Sequence, residues 1–364
     1  MYHDGLMKIL HVTCWYPNEL RPTQGIFIKR HIEAVSPFVD DLILVLDQGS
    51  FGPLRLVKRK KILRAEIGKR GVARLLGGII VAFRLGRQTS TVDIVHAHAH
   101  SALIPAYILA RMLKAELVYT EHSSTFTSRG FKKIGGLEKL LFGLIARKAT
   151  TSAVSSFLAE GMKKIFKLKV SPVIVYNVVD EQFSRNKISG FPNAARRIIT
   201  ISPNLKVKRP DLLALALATM KVKAEILIIG DGYGQKWWEF IKYLKIENRV
   251  SHIPYANAEK ICIEMLHSSL YLQTSDCETF GVGIAEALAI GLPVVTTASG
   301  GPEEYAVNAG AFVTPSGDPV ALARALDDRL VSPLVVNPFM RNECSSDKIG
   351  RKFLDVYKMA SCNE

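Results

Sequence analysis

The chain has 364 residues and a formal net charge of +15, from 48 Lys and Arg against 33 Asp and Glu. Hydrophobic residues make up 48% and charged residues 22%, which is apolar material for about two packed cores and excludes a mainly disordered or low-complexity chain. The longest apolar stretch, residues 75–83, lies between Arg74 and Arg84 and falls far short of the roughly 18 residues of a spanning helix.

Taken in chain order, short apolar runs alternate with helix-length amphipathic segments. Strands are predicted at residues 9–12, 42–46, 94–96, 117–120, 153–154 and 173–175, with helices near 27–35, 69–87, 102–113, 137–147 and 157–166. The charge is concentrated here: residues 1–190 hold 29 basic and 14 acidic side chains, residues 191–364 hold 19 of each. Residues 55–87 carry 11 Lys or Arg against the single acid Glu66, interleaved with apolar residues, and read as a basic amphipathic helix. Two readings of it stay open: a solvated face over a core, or attraction to anionic lipid head groups at about 1 kcal/mol per nearby cation. No aromatic-interleaved basic motif or zinc spacing points to nucleic acid.

A polar stretch at residues 184–197, with Gly190, Pro192 and Asn193, opens a second unit. Strands follow at 198–201, 226–229, 250–253, 270–272, 294–296 and 311–313, with helices near 210–219, 237–244, 258–267, 283–290 and 319–326, and an amphipathic tail at 345–359. Strands separated by helices need crossover connections, hence an α/β chain with parallel sheets covered on both faces. The expected domains are 1–184, 185–344 and a C-terminal helix, 345–364, packing back toward the first. Two doubly wound sheets facing a common cleft would gather their C-terminal strand ends around one ligand site. Five scattered cysteines and a leader without a secretory pattern predict a reducing, cytoplasmic setting.

The densest motif is Ser275-Asp-Cys-Glu-Thr-Phe-Gly-Val-Gly, a polar loop running into a helix that carries Glu286. A glycine loop opening a helix leaves free N–H groups beside a favourable dipole, which suits a phosphate. Glu278 and Glu286 suit sugar and ribose hydroxyls better than phosphate; read alone, they are equally a helix-start acid and a surface residue. His96, His98 and His100 recur at every second position, with His98 read as facing away from the other two. Lacking a carboxylate or Cys companion, they are not read as a metal site. No Asp-x-Asp occurs, so no paired-carboxylate grip on a divalent ion is expected.

Glu278 and Glu286, with Phe280-Gly281 between them, resemble the two-glutamate signature of retaining glycosyltransferases of family four, on the GT-B fold. Further segments are similar to that family: Ile228-Ile-Gly-Asp-Gly232, Ser202-Pro-Asn-Leu-Lys-Val-Lys-Arg-Pro-Asp211, Tyr176-Asn-Val-Val-Asp180, Val95-His-Ala-His98, Thr120-Glu-His122 and Gly300-Gly-Pro-Glu-Glu304. The resemblance spans nearly the whole chain. It implies two Rossmann-like domains facing an interdomain cleft, the first binding acceptor and the second the nucleotide-sugar donor. Glu286 would take ribose hydroxyls, Glu278 the transferred sugar with the N–H groups of Phe280 and Gly281, and Lys208 the diphosphate, with Arg209 assisting or structural. Gly25 would admit the diphosphate from the first domain, and His122 would face the transferred sugar. Pro203 stands where the family usually has an Arg, and Gln24 where it often has a second Gly.

The implied activity moves a hexose-type sugar from a UDP- or GDP-linked donor to a glycan or lipid-linked acceptor in cell-surface polysaccharide synthesis. It proceeds with retention and needs no metal or other cofactor, from a cytoplasmic position peripheral to an anionic inner membrane. The alternatives are a catalytically silent nucleotide-sugar-binding or membrane-adaptor protein, or a nucleotide-sugar epimerase on the same fold.

Overall fold

The computed structural model describes residues 6–19, 21–48, 56–59, 61–67, 71–86, 91–127, 135–188, 196–333, 335–337 and 339–362. The chain divides into two compact units, Met1–Val178 with Ser346–Glu364, and Val179–Ser345.

The first unit is built on an eight-stranded sheet of β1 (Lys8–Thr13), β2 (Asp40–Gln48), β3 (Leu56–Arg59), β4 (Ile62–Ile67), β5 (Ile94–His98), β6 (Glu116–Glu121), β7 (Thr150–Ala153) and β8 (Val173–Ile174). The order is β3-β4-β2-β1-β5-β6-β7-β8, parallel except for the β3–β4 hairpin. Its helices are α1 (Ile26–Val35), α2 (Gly71–Gly86), α3 (His100–Leu113), α4 (Gly136–Ala146) and α5 (Ser156–Phe166). Leu56–Arg59 and Ile62–Ile67 are thus strand rather than the expected helix. Ile62 to Ile67 pair in parallel with Ile43 to Gln48, so a neighbouring sheet edge overrides the helical spacing. Lys58 and Arg59 belong to β3, the outermost strand of the sheet. Arg64 is held by Asp47 at 2.9 and 3.0 Å, and Lys61 by Asp41 at 2.8 Å, so part of this basic run answers acids of β2. Arg55, Lys60, Lys69, Arg70 and Arg87 lie outside the described residues.

The second unit begins with α6 (Glu181–Arg185), whose start is capped by the Asp180 carboxylate accepting from the Gln182 N–H. The helix packs on α9 (Ala258–Leu266) and α10 (Val282–Ile290), which moves the boundary from the expected 184/185 to Val178/Val179. Its strands are β9 (Arg197–Ile201), β10 (Glu225–Ile229), β11 (Val250–Ile253), β12 (Leu270–Gln273), β13 (Val294–Thr297) and β14 (Phe312–Thr314). They are all parallel, in the order β11-β10-β9-β12-β13-β14. This is the doubly wound order, in which winding reverses between β9 and β12 and leaves a crevice beyond their C-terminal ends. Four more helices, α7 (Pro210–Thr219), α8 (Gln235–Tyr243), α11 (Pro319–Val331) and α12 (Phe339–Glu343), complete the unit. Leu212, Leu213 and Leu217 of α7 pack with Ile198, Ile226, Ile228, Leu270 and Leu272, each fully buried side chain contributing roughly 1.5–3 kcal/mol.

The chain then returns to the first unit through α13 (Ser346–Ser361). Ile349, Phe353, Val356 and Tyr357 join a core with Ile9, Val35, Ile94 and Val118. Helix α13 lies so close to α1 that a Cβ on Gly350 would fall 2.0 Å from the Ala34 carbonyl oxygen. Among the described residues, no helix is long and apolar enough to cross a membrane.

Candidate active site

In the second unit the crevice is walled by the loops that follow β9 and β12. The two are stitched together: the Asp276 N–H donates to the Val207 carbonyl at 2.8 Å, and the Thr274 hydroxyl to the Lys208 carbonyl at 2.8 Å. Across this seam Lys208 Nζ meets Glu278 Oε1 at 2.6 Å. The same oxygen accepts from the Ser275 hydroxyl at 2.6 Å and from Gln273 Nε2 at 3.3 Å. Behind it, the Tyr271 hydroxyl donates to Gln273 Oε1 at 2.8 Å, and Gln273 Nε2 donates to Ser275 Oγ at 2.7 Å. Burial, then the charges of Glu278 and Glu286, push the Tyr271 phenol up, so it stays a neutral donor. Glu278 is thereby held as an acceptor beside Lys208, an arrangement suited to gripping hydroxyl groups next to a phosphate.

The loop from Glu278 into α10 depends on two glycines. Gly281 caps the helix at φ +80°, a conformation other residues rarely adopt, and a Cβ on Gly301 would lie 2.0 Å from the Thr279 carbonyl oxygen. Glu278 and Gly300 bridge in parallel, and the Tyr305 hydroxyl donates to the Phe280 and Gly281 carbonyls at 2.7 and 3.0 Å. Phe280 is buried against the Tyr305 ring, so that its side chain anchors the loop. Glu286 lies on α10 and is 6% exposed, so of the readings open to it from the sequence the surface one does not hold. Its charge reaches both Tyr271 and the Cys262 thiol, which burial and then nearby carboxylates push up.

Arg209, just before α7, is drawn to Asp211 at 2.8–3.1 Å and to Asp276 at 3.1 Å. Of the two roles open to it, loop anchor is the one these carboxylates supply. Pro203 sits in the loop after β9, which packs on the loop after β10: a Cβ on Gly230 would lie 2.4 Å from the Ser202 carbonyl oxygen, and the Asn204 N–H donates to the Asp231 carbonyl at 2.8 Å.

Gly25 and His122 belong to the first unit. Gly25 begins α1 at φ +65°, and a Cβ there would fall 2.2 Å from the Trp15 carbonyl oxygen, so local packing alone demands glycine. His122, at the end of β6, is buried among Phe27, His31 and His98, with ring centroids 5.0, 5.2 and 6.0 Å away. Burial lowers its pKa to about 4, opposed by the Glu121 charge and an Asn177 hydrogen bond. It is a neutral imidazole inside a cluster.

That cluster also contains His11, His31, His96 and His98, all buried. His96 and His98 share one face of β5, as residues two apart on a strand must, with centroids 4.0 Å apart, which corrects the expectation of opposite faces. His11, His96 and His98 offer ligand atoms within 4.8 Å of one another. Both nitrogens of His96 are taken, by the Tyr357 hydroxyl at 2.8 Å and Thr120 Oγ1 at 2.7 Å, while His11 Nδ1 and His98 Nε2 lie 3.1 Å apart. As arranged, these groups form a hydrogen-bonded array rather than three open ligands. Glu121 is buried beside it and accepts from the Tyr119 hydroxyl, from the backbone N–H groups of His100, His122 and Ser123, and pairs with His100 Nδ1 at 3.2 Å. Despite its burial these donors hold its pKa below the ordinary carboxylate value. Ala99, at the start of α3, takes a conformation (φ +63°, ψ 155°) that is strained for a non-glycine residue, and its N–H donates to the Thr120 carbonyl at 2.8 Å.

The structure therefore brings Lys208, Glu278, Phe280 and Gly281 together, with Glu286 on the following helix, and sets Gly25 and His122 in the other unit. Gln273, Ser275, Tyr271, His11 and His31 escaped the reading of the sequence. The polar run Gln273-Thr-Ser275 closing an apolar strand is the one local sign that pointed to the first two.

Residues 181–344 match the family described as Glycosyl transferases group 1, and residues 51–183 match Glycosyltransferase Family 4. The chain is 29% identical over 250 residues to N-acetyl-alpha-D-glucosaminyl L-malate synthase of Bacillus anthracis, covering 65% of each chain. It is 27% identical over 236 residues to the phosphatidylinositol N-acetylglucosaminyltransferase GPI3 subunit of Saccharomyces cerevisiae, covering 60% of this chain and 50% of the yeast one. The matches thus span half to about two thirds of these relatives. Among solved structures, HepE of Anabaena in complex with UDP and glucose superposes with a TM-score of 0.68 at 19% identity, over 97% of this chain and 98% of that one.

Proposed function

Because the chain belongs to the group 1, family 4 glycosyltransferases, we propose that it moves a hexose-type sugar from a UDP- or GDP-linked donor to a glycan or lipid-linked acceptor in cell-surface polysaccharide synthesis. The observation that carries this reading is the Lys208–Glu278 pair at 2.6 Å in the crevice between β9 and β12, with Glu286 buried on the helix that follows. A nucleoside diphosphate sugar needs a cation for its diphosphate and carboxylates for its hydroxyls, and these loops supply both.

In this reading Lys208 meets the diphosphate and offsets the charge that builds as the nucleotide leaves, a contribution made mainly in the transition state. Glu278 holds hydroxyls of the sugar, its carboxylate oriented by Ser275 and Gln273, and Glu286 takes the ribose. On donor binding Lys208 shares its three N–H groups between Glu278 and phosphate oxygens. Transfer proceeds with retention by front-face attack assisted by the leaving phosphate. It is metal-independent, because the chain has no Asp-x-Asp and the cation is a lysine. The Anabaena neighbour's UDP complex supports a UDP-linked donor, and both curated relatives are named for N-acetylglucosaminyl transfer.

The acceptor reading draws on the first unit. Leu137, Leu140, Leu141 and Leu144 line one exposed face of α4, and Leu76, Ile80 and Phe83 one of α2, in the half of the chain that carries the whole positive excess. Exposed apolar faces with surrounding positive charge suit peripheral contact with an anionic membrane from the cytoplasmic side, where a lipid-linked acceptor resides. A thermal-shift panel of UDP, GDP, ADP and their sugars, UDP-N-acetylglucosamine included, tests the donor. A donor at 100 times its Kd stabilises by about 2.7 kcal/mol; no shift with any of them would sink the reading.

A further inference from the structure

The parallel strands of the second unit have two ends, and the second is also chemically marked. Around the N-terminal ends of β9, β10, β11 and β12, opposite the loops that carry Lys208 and Glu278, lies a cavity of about 1430 Å³. Its lining includes seven Lys or Arg side chains and the single acid Glu225. Residues 191–364 hold equal numbers of acids and bases, so this concentration is local rather than a share of a general positive charge.

The partners of these cations are unequal. Arg197 is matched by Glu264 at 2.6 Å. Arg249 donates to the Ala224 and Leu217 carbonyls at 2.9 and 3.0 Å, but its Nη2 is buried without a hydrogen-bond partner, and so is Nε of Arg329. The Arg329 guanidinium lies over the Phe312 ring, 5.0 Å from its centroid. Asp327 is the acid whose charge reaches Arg249, and its two oxygens already accept from the Lys221 and Val222 N–H groups at 3.0 and 2.9 Å. Lys221, Lys223 and Lys245 complete the lining. Partly buried guanidinium groups with unmade hydrogen bonds, ringed by lysines, favour a multiply charged anion.

We propose that this cavity is a second anion site, for a small soluble molecule carrying two or more phosphate groups, separate from the sugar-donor loops. The five-residue strand β9 puts roughly 16 Å between the two ends of the sheet, so one diphosphate cannot serve both. The arginines line a concavity rather than a flat face, which favours a compact solute over a bilayer surface.

The test is a calorimetric titration of the full-length protein with inorganic pyrophosphate. Wild type should take two equivalents, and Lys208→Ala should lose the one at the donor loops and keep the other. The triple variant Lys221→Gln, Lys223→Gln, Lys245→Gln should weaken the remaining equivalent at least tenfold and leave sugar transfer unchanged. These lysines are chosen because Arg249 also ties down two carbonyls, so that its removal would disturb folding. Equal pyrophosphate binding in the triple variant and wild type, or none in Lys208→Ala, would overturn the proposal. So would binding of anionic vesicles or duplex DNA through these three lysines with none of pyrophosphate.

Discussion

Lowering the pH from 7.5 to 5 should destabilise the first unit through its buried histidines. Burial holds His11 and His122 at about 4, and burial with mutual repulsion holds His31, His96 and His98 well below 6.5. His11 Nε2, His31 Nδ1 and His98 Nδ1 also lack hydrogen-bond partners, so protonation there would add charge with nothing to receive it. Each group's folded pKa lies below its unfolded one, so the unfolded chain binds protons first and stability falls as the pH falls. The contribution is complete above pH 6.5, is lost progressively toward pH 4, and amounts to about 3 kcal/mol for His122 at 1.36 kcal/mol per unit. At pH 5 roughly 2 kcal/mol of that is already gone. Asp41 and Glu121, whose pKa values are also depressed, lose their contributions in the same direction but below pH 4.5, so the window from 6.5 to 5 belongs to the histidines. Urea denaturation followed by near-ultraviolet circular dichroism at pH 7.5, 6.5, 5.5 and 5 reads the effect. The midpoint should fall steadily, and less steeply in His122→Asn. A midpoint constant from pH 7.5 to 5 would refute the reasoning.

Replacing Gly350 by Ala drives a methyl into the Ala34 carbonyl, so it should destabilise by about 1–3 kcal/mol in the same urea assay, whereas Lys358→Ala at an exposed position of the same helix should change little. Sugar transfer should continue in EDTA; loss of activity restored by magnesium or manganese would contradict the lysine-based mechanism. Co-sedimentation with anionic vesicles should fall several-fold in Leu140→Glu/Leu144→Glu and fall again with added salt, while donor affinity is kept. Vesicle binding that this pair of changes leaves intact would remove α4 from the contact.

What the sequence discloses depends on how local the cause is. In the second unit every strand and all of the longer helices follow from apolar runs bounded by turn residues, because the inner strands β10, β12 and β13 are buried on both faces. The segment at residues 56–67 misleads, because its basic spacing looks helical while its pairing partner, β2, is remote in sequence. Glu278 and Glu286 are legible because they lie eight residues apart on one loop and helix. The groups that orient Glu278 are less so: Gln273 and Ser275 are ordinary polar residues until the strand end turns them onto one oxygen. The histidine cluster is the clearest case of a non-local feature. His11 lies beside His96 because β1 and β5 are neighbours, and His31 joins through α1, relations that no spacing along the chain expresses.

The central claim, that Glu278 and Glu286 hold the two ends of one donor, is tested most directly by steady-state transfer kinetics of Glu278→Ala and Glu286→Ala. Each lost charged hydrogen bond is worth about 1.5–3 kcal/mol, or roughly 10- to 150-fold in rate or affinity. The account predicts that Glu286→Ala raises the donor KM with kcat largely kept, and that Glu278→Ala lowers kcat with the donor KM nearly unchanged. Two folded variants that both turn over donor like the wild type would contradict it.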